Sequence, residues 1–377
     1  MSESLLRDLA ALGVAVSYDN IGRELIVSGR LAKMISEDGI AGETANPIIY
    51  EKAVATTTAY DSEIAELSRA GWAPDRIVME LWAHDVQLAC DVFRPVYEAT
   101  HHIDGYVSLE LPPHLAHDAE GTIEAAREVR KRVDRPNLAL KIPSTPESFI
   151  AMEECTFAGA NVNATVIFSR DTYEQVIQAY RRGLERRLAA GLSLDITSFA
   201  SVFMSRYDAP IDELLVQRIR KATSSTEIAT LGSVMGRVSI ASAWMINRRF
   251  RAFFDGPEFA QLRAAGARVQ RPLWAGVVAR NSRYGDCTYM EALAMPGTAI
   301  TASDLPVDGF RMHGIPLPAT DDGSADVVLA TCAELGIDVS RIALDMEESV
   351  VSAFTDAFNR LVGGVATKAV PAASGVA

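Results

Sequence analysis

The sequence has little of what marks several large classes of protein. Its 377 residues include only four cysteines, and none of them lies in a Cys-x-x-Cys pair. This spacing fits neither a zinc site nor a disulfide framework, so we expect free thiols in a reducing compartment. The formal net charge of −13 argues against nucleic-acid binding, which needs a basic field. It does not exclude an anionic substrate, because a few local arginines can bind one phosphate.

Long apolar runs are also lacking. No stretch approaches the roughly 18 uncharged apolar residues of a membrane span. The first 13 residues show no basic region leading into an apolar run, as a signal peptide would. The six histidines lie mostly in helix or loop contexts and lack a third aligned ligand. We therefore expect a cytoplasmic protein that has no membrane segment and needs neither a metal nor another cofactor.

Short apolar runs alternate with amphipathic helical stretches along the chain. Eight runs have the length and composition of strands: residues 14–19, 39–44, 105–111, 137–143, 160–169, part of 192–206, 270–278 and 297–303. Strands separated by helices favour a parallel sheet built from βαβ units. No run is followed by a Gly-rich nucleotide-binding fingerprint. The pattern therefore predicts an α/β protein with a closed (β/α)8 barrel, not an open doubly wound sheet.

Two regions contain more helix than the single helix that follows each strand in a (β/α)8 barrel. Residues 209–269 read as a helical insertion between the sixth and seventh strands, and residues 323–363 read as C-terminal helices. We predict one domain over residues 1–365. The small and polar residues 366–377 predict a disordered tail.

Lys141 is the most informative polar residue at the strand ends, where barrel enzymes place their active sites. It follows the mostly apolar run 137–140 and precedes Ile142 and Pro143. An apolar environment favours the neutral amine, which is the form that attacks a carbonyl. The alternative is a lysine whose side chain reaches water from the strand end. The motif alone leaves both interpretations open.

The other strand ends supply partners for such an amine. Asp19 and Glu110 offer carboxylates for proton transfer. Neutral hydrogen-bonding groups and two arginines complete the set: Asn46, Asn163, Thr165, Ser201, Arg206 and Arg280. Arginine suits phosphate because its planar guanidinium donates two parallel hydrogen bonds. Together these are the functional groups that a Schiff-base aldolase acting on sugar phosphates needs.

Six motifs in chain order carry a family resemblance. They are TANPIIYEKA (44–53), DGYVSLELPPHLAHD (104–118), NLALKIPST (137–145), GANVNATVIFS (159–169), SFASVFMSRYD (198–208) and RPLWAG (271–276). With them the chain resembles transaldolases, particularly the longer form of actinobacteria, over about residues 4 to 360. The resemblance implies transfer of a dihydroxyacetone unit from fructose 6-phosphate or sedoheptulose 7-phosphate to an aldose phosphate, within the pentose phosphate pathway. A homodimer is also expected.

The resemblance also implies individual roles. Lys141 would form the Schiff base, and Asp19 would act on the C4 hydroxyl. Glu110 and Thr165 would hold the water that shuttles protons. The remaining residues would bind the substrate, through its hydroxyls or its phosphate: Asn46, Asn163, Ser201, Arg206 and Arg280.

The related fructose 6-phosphate aldolases carry Gln in place of Glu110 and Tyr in place of Phe203. Both residues therefore favour transfer over an aldolase that releases free dihydroxyacetone, which remains the alternative enzyme. A barrel kept only as a scaffold is the non-enzymatic alternative. The set of Asp19, Glu110, Lys141 and Thr165 argues against it, because a scaffold has no need of a buried lysine beside two carboxylates.

Three segments depart from the usual actinobacterial pattern. The first strand ends in Ser17-Tyr18-Asp19-Asn20 where Trp-Leu-Asp-Asp is usual, and Thr44-Ala45-Asn46-Pro47 carries an alanine where Thr or Ser is usual. Residues 275–280 read Ala-Gly-Val-Val-Ala-Arg, where Ala-Ser-Thr-Gly-(Thr/Val)-Lys is usual. These changes fit either drift or a paralogue that uses a different acceptor in a specialised pathway.

Overall fold

Eight parallel strands close into a barrel in a computed structural model that describes residues 4–369. The strands are β1 (Ala15–Asp19), β2 (Gly42–Thr44), β3 (Tyr106–Glu110), β4 (Leu138–Pro143), β5 (Asn161–Ile167), β6 (Ser198–Phe203), β7 (Gln270–Ala275) and β8 (Ala299–Ala302). Each strand pairs with the next in the chain, and β8 pairs with β1. The predicted (β/α)8 barrel is confirmed, with all eight strands within the predicted runs.

Helices surround the barrel. In residues 4–369 they are α1 (Leu5–Ala11), α2 (Arg23–Val27), α3 (Arg30–Asp38), α4 (Pro47–Ala55), α5 (Asp61–Arg69), α6 (Pro74–Ala99), α7 (Ala119–Val133), α8 (Pro146–Phe157), α9 (Arg170–Ala189), α10 (Ser205–Ile219), α11 (Ser225–Val234), α12 (Val238–Phe254), α13 (Ala260–Ala264), α14 (Thr288–Ala292), α15 (Asp304–His313), α16 (Ser324–Glu334) and α17 (Val339–Ala369). Two short 3-10 helices occupy Pro113–Leu115 and Pro257–Phe259.

Local chemistry explains where several helices begin and end. Asp118 caps α7 by accepting a hydrogen bond from the Gly121 amide, and Ser169 caps α9 in the same way through Thr172. Such caps satisfy amide groups that the first helical turn leaves without partners. The amphipathic stretch after β1 forms two helices because Gly29, with φ of 77°, separates α2 from α3.

The apolar residues form separate layers. A small cluster fills the barrel interior and includes Ala15, Tyr106, Ala139, Phe199 and Leu273. The largest cluster lies between the strands and the surrounding helices. A third cluster joins the insertion to the C-terminal helices through residues such as Ile211 and Phe354. The interior cluster closes the barrel and leaves the carboxyl ends of the strands for polar groups.

The extra helical regions occur as predicted, with shifted limits. Helix α10 begins at Ser205, four residues before the predicted start of the insertion. Helix α17 runs to Ala369, so the prediction of a tail from residue 366 was wrong for residues 366–369. They belong to a long helix whose buried face includes Leu361 and Val365. Residues 370–377 of that tail lie outside the described residues.

Candidate active site

A cavity of about 720 Å³ opens at the carboxyl ends of the strands. Seven residues singled out in the sequence lie on its wall: Asp19, Asn46, Lys141, Ser201, Phe203, Arg206 and Arg280. The other three, Glu110, Asn163 and Thr165, are buried on β3 and β5. The strand order therefore gathers side chains that are up to 261 residues apart, since Asp19 and Arg280 share one wall.

Lys141 lies at the inner end of this cavity with only 4% of its surface exposed. Its Nζ atom is 3.2 Å from Oε2 of Glu110 and donates a hydrogen bond of 3.0 Å to the carbonyl oxygen of Ala45. Register explains the first contact, because Glu110 and Lys141 are partners on the adjacent strands β3 and β4. Burial raises the pKa of Glu110 from 4.5 to about 7, although Lys141 opposes the rise. The lysine is thus held by one carboxyl group and one carbonyl, and does not extend into water.

Asp19 is held at the end of β1 by a short hydroxyl chain. The Thr44 hydroxyl donates to Oδ1 of Asp19 at 2.8 Å, and Thr44 Oγ1 lies 2.6 Å from Thr301 Oγ1. Burial raises the pKa of Asp19, while the charges of Lys141 and Arg206 and the Thr44 hydrogen bond oppose that rise. A carboxylate whose pKa is raised is a better proton acceptor, which suits general base chemistry.

Asn163 is the centre of a second polar chain. Its Nδ2 atom donates to Ser108 Oγ at 3.0 Å, and its Oδ1 atom accepts from Ser201 Oγ at 2.7 Å. All three side chains are buried. These bonds fix the orientation of the amide and direct the Ser201 hydroxyl hydrogen inward, so that the oxygen of Ser201 remains available as an acceptor at the cavity wall.

Thr165 precedes a backbone irregularity. Val166 has φ of 63°, which is rare for a β-branched residue. The β5–β6 register shifts at the same place, because three steps from Ala164 to Ile167 match two steps on β6. Pairing with β4 continues to Thr165, whose carbonyl accepts from the Ser144 amide at 2.9 Å. The bulge therefore follows Thr165 immediately, and bulges of this kind commonly adjust side chains beside active sites.

Asn46 has a structural task in addition to its place in the cavity. Its Oδ1 atom accepts from the amides of Ile48 and Ile49 at 3.0 and 3.1 Å and so caps α4. The cap fixes the side chain through its oxygen. The Nδ2 group donates no hydrogen bond within residues 4–369 and remains a donor for a ligand.

Arg206 and Arg280 form the cationic end of the cavity. They follow β6 and β7, which are adjacent strands. Burial lowers the pKa of Arg206, and the nearby charge of Arg280 lowers it further. Within residues 4–369 neither guanidinium makes an ion pair with a carboxylate of the protein. Two neighbouring unpaired arginines at a cavity wall form an anion-binding arrangement.

Phe203 and the segment after β7 shape the wall between the arginines and the strand ends. The ring of Phe203 stacks on Phe168 with centroids 5.6 Å apart. Gly276 and Val278 line the cavity, whereas Val277 is buried in the core. The substituted segment 276–279 therefore contributes two of its residues to the cavity, without a hydroxyl.

Several residues of the site were not singled out from the sequence. Ser108 lies two positions before Glu110 on β3, so the two-residue period of a strand could have found it. Thr301 lies near the carboxyl end of the predicted strand 297–303, so its position in that run could have indicated it. Asp85 on α6 was also missed; it is fully buried and accepts hydrogen bonds from Tyr50, Tyr60 and Arg23. These bonds fix the loop after β1, which lines the cavity.

Two general expectations concern membranes and metals. In the part of the chain from 4 to 369, every helix is too short or too polar to cross a bilayer. One group with metal-ligand spacing occurs among these residues, formed by Asp286, Cys287 and His313. None of its members lines the cavity that contains Lys141.

Comparison with known proteins finds relatives that match nearly the whole chain. Residues 16–365 match the family model described as Transaldolase/Fructose-6-phosphate aldolase. A transaldolase of Thiobacillus denitrificans is 37% identical over 96% of this chain and 99% of its own length. A transaldolase of Parafrankia is 36% identical over 98% of this chain and 99% of its own. A protein named transaldolase 2 from Nostoc punctiforme is 40% identical over 83% of both chains.

Proposed function

Since the chain belongs to the transaldolase/fructose-6-phosphate aldolase family, we propose that it acts as a transaldolase. It transfers a dihydroxyacetone unit from fructose 6-phosphate or sedoheptulose 7-phosphate to an aldose phosphate. One observation carries the proposal: the buried amine of Lys141 lies 3.2 Å from Glu110 at the inner end of a cavity whose wall also holds two arginines that make no ion pair within residues 4–369. This proximity supports a site that combines a nucleophile for a carbonyl with a receptor for a phosphate.

The first step is imine formation. The Lys141 amine attacks the ketose carbonyl, and the carbinolamine loses water to give the Schiff base. This step needs a group that both donates and accepts protons near neutral pH. Glu110, with its pKa raised to about 7, fits that need. The Thr165 hydroxyl is buried and has no hydrogen-bond partner among the described residues, which supports a shared role with Glu110 in holding the water molecule.

The second step is carbon–carbon cleavage. Asp19 removes the proton from the C4 hydroxyl, the C3–C4 bond breaks, and its electron pair passes into the imine to give an enamine on Lys141. The aldose phosphate leaves, a second aldose phosphate enters, and the enamine carbon attacks its aldehyde. Asp19 then returns the proton to the new hydroxyl, and hydrolysis of the imine restores Lys141.

The remaining residues would bind the substrate. Asn46, through its free Nδ2 group, and the Asn163–Ser201 pair would hold hydroxyls of the dihydroxyacetone unit. Arg206 and Arg280 would bind the phosphate at the opposite end. Charge-assisted hydrogen bonds of this kind are about twice as strong as neutral ones.

Simple cleavage with release of free dihydroxyacetone is the second candidate. Phe203 favours transfer, because a phenyl ring at the cavity wall offers no hydroxyl to hold a water that would protonate the enamine carbon, the step that precedes hydrolytic release of dihydroxyacetone. Assay of free dihydroxyacetone from fructose 6-phosphate, without an acceptor, separates the candidates. Transfer predicts little product until an aldose phosphate is added.

Borohydride reduction in the presence of fructose 6-phosphate tests the proposal most directly. Reduction should fix the dihydroxyacetone unit to Lys141, as located by peptide mass analysis, and Lys141→Ala should abolish labelling. Lys131 on α7 and Lys221 after α10 serve as internal controls that should remain unlabelled. Labelling at either of them instead of Lys141 would show that the nucleophile is wrongly assigned.

The setting of the enzyme completes the proposal. The four cysteines are buried and unpaired, which supports a reducing compartment such as the cytoplasm. The acidic net charge of −13 supports partners other than nucleic acid. Four large apolar side chains are exposed between residues 305 and 317, namely Leu305, Met312, Ile315 and Leu317. They support a homodimer, which analytical ultracentrifugation would detect.

A further inference from the structure

Helix α10 carries two buried carboxylates behind the cationic end of the cavity. Asp208 and Asp212 are 2% and 6% exposed. They are four residues apart and therefore lie on one face of the helix. Neither lines the cavity that contains Lys141. Such groups are costly to bury unless their hydrogen bonds are satisfied, so their partners indicate what they hold together.

Asp212 binds the loop that carries Arg280. Its Oδ2 atom accepts a hydrogen bond of 2.6 Å from the Tyr284 hydroxyl and a longer one of 3.4 Å from Asn281. Its Oδ1 atom accepts from the Gly236 amide at 2.8 Å. Burial raises the pKa of Tyr284, and the hydrogen bond to Asp212 raises it further. The tyrosine therefore remains a protonated donor at physiological pH.

Gly236 is shaped to receive the tyrosine ring. Its φ is 67°, and a Cβ atom built there would lie 2.3 Å from Cζ of Tyr284. The ring thus packs directly on the backbone between α11 and α12, where only glycine fits. The contact is specific in shape as well as in hydrogen bonding.

A second attachment lies beside the first. Asp208 accepts hydrogen bonds from the amide and hydroxyl of Ser239, at 2.8 and 2.6 Å, and from the Tyr289 hydroxyl at 2.7 Å. At the near end of the loop, the Ser205 amide donates to the Gly276 carbonyl at 3.0 Å. The loop from Gly276 to Tyr289 is therefore fixed to α10 on both sides of Arg280. Since Arg206 is the second residue of α10, one helix sets the positions of both arginines.

We propose that Asp212 and Tyr284 are positioning residues that hold Arg280 in place to bind the phosphate of the substrate. The helical insertion holds this loop through Asp212 and Tyr284, and we call this pair of residues the brace. The proposal deepens the proposed function and rests on it. An exposed arginine on a free loop would lose conformational entropy on binding, and a fixed loop reduces that cost. The brace should therefore affect phosphate binding and leave the chemistry at Lys141 unchanged.

Tyr284→Phe removes the hydroxyl and keeps the ring. We expect KM for fructose 6-phosphate to rise roughly three- to tenfold, as for the ordering of one long side chain. The value of kcat, and kcat/KM for unphosphorylated fructose, should not change. Tyr207→Phe is the matched control: it removes a tyrosine hydroxyl from α10 that donates to the carbonyl of Val339, at the start of α17, and not to a residue of the loop. That control should leave both substrates unaffected.

A double variant tests whether Tyr284 affects KM through Arg280. In an Arg280→Ala background, Tyr284→Phe should have no further effect on KM, because its target is gone. The proposal would be overturned if the effects of the two substitutions on KM were additive. It would also be overturned if Tyr284→Phe lowered kcat/KM equally for fructose and fructose 6-phosphate. If Tyr284→Phe fails to fold, Asp212→Asn takes its place, since it keeps the shape of the side chain but removes its charge and replaces one of its two acceptor oxygens with an NH2 donor; the same selective rise in KM is expected.

Binding of inorganic phosphate, measured by calorimetry, needs no turnover and separates this proposal from the proposed function. Tyr284→Phe should weaken phosphate binding by the same factor as KM. If the wild-type protein forms no imine but the variant still loses phosphate affinity, the transaldolase assignment fails and the brace stands. If phosphate affinity is equal in the two proteins, the brace is wrong regardless of catalysis.

Discussion

The Nζ atom of Lys141 and the Oε2 atom of Glu110 lie 3.2 Å apart at the inner end of the cavity, where both side chains are buried. The strand register pairs these two residues, so their contact is built into the barrel and does not depend on a mobile loop. Burial opposes ionisation of the carboxyl group and Lys141 favours it, and the balance leaves its pKa at about 7. A carboxyl group with this pKa can both donate and accept a proton at neutral pH, which would suit the proposed imine formation at Lys141.

Glu110→Gln should slow imine formation by about 10²–10⁴-fold, the usual contribution of a general acid–base group. The amide keeps the shape of the side chain but cannot exchange a proton. The wild-type pH profile for imine formation should show an inflection near pH 7 that the variant lacks. Single-turnover trapping with borohydride across pH 5–9 measures both. An inflection near 7 that persists in the variant would assign this ionisation to another group.

The same variant should alter how stability depends on pH. The pKa of Glu110 rises from 4.5 to about 7 on folding, so the folded state binds its proton more tightly than the unfolded state. The stabilisation from this group is fully present below pH 4.5 and is lost as pH rises through about 7. Glu110→Gln has no such ionisation. Relative to wild type, its free energy of unfolding should improve across that window, as urea titrations at several pH values would show.

Asp19→Ala should separate imine formation from cleavage. Without the base for the C4 hydroxyl, cleavage should slow by about 10²–10⁴-fold, while Lys141 and Glu110 still form the imine. Borohydride should then trap the intact six-carbon ketose on Lys141, and mass analysis would distinguish it from a three-carbon adduct. A variant that cannot be trapped at all would show that Asp19 acts earlier, at the imine.

Arg206→Ala should selectively weaken the binding of phosphorylated substrates. Hydrogen bonds to charged groups contribute about 1.5–3 kcal/mol, so KM for fructose 6-phosphate should rise by roughly 10- to 150-fold. The kcat/KM for fructose should stay within about twofold. Arg220→Ala, an exposed arginine at the other end of α10, is the matched control and should leave both substrates unchanged. Equal losses on both substrates would indicate a role in folding.

Val166 offers a test of the strain beside Thr165. A residue with a Cβ atom costs about 1–2 kcal/mol in the left-handed region, and Val166 lies there with φ of 63°. Val166→Gly should therefore be more stable than Val166→Ala by about 1 kcal/mol, the reverse of the usual order in strands. Val162, buried on the same strand without a positive φ, is the control, and there alanine should be more stable than glycine. The same order at both positions would contradict the strain.

The sequence predicted most of the barrel because its strands are short apolar runs separated by amphipathic helices, a strictly local pattern. It also located Asp19, Asn46, Lys141 and Arg206 at the cavity wall, since the carboxyl ends of the strands meet at one edge, but it missed Asn20 and Ser303, which follow β1 and β8 and line the same cavity. It could not predict the conformation of Val166, which results from the mismatch between β5 and β6. It could not predict the bond between Asp212 and Tyr284, which joins residues 72 positions apart. Such contacts follow from packing, which local patterns do not encode.

Sequence and structure together bear on which acceptor aldose the enzyme uses. Gly276 and Val278 line the cavity where transaldolases of the actinobacterial type usually carry a serine and a glycine, and Val277 replaces a threonine in the core. Segment 276–279 therefore contributes no hydroxyl to the cavity wall before Arg280, one of the two arginines proposed to bind the phosphate. A wall that hydrogen-bonds a substrate hydroxyl discriminates strongly, whereas an apolar wall discriminates weakly.

We therefore expect relaxed or shifted acceptor choice, with longer or differently configured aldose phosphates accepted alongside erythrose 4-phosphate. A panel of aldose phosphates with fructose 6-phosphate as the donor would give kcat/KM for each. Val278→Ser should place a hydroxyl on the wall and change the ranking, whereas Val278→Ala, which removes volume without adding a hydroxyl, should not. If erythrose 4-phosphate is preferred by a large factor in the wild-type protein, the altered segment has no effect on acceptor choice, and the enzyme serves the ordinary pentose phosphate reaction.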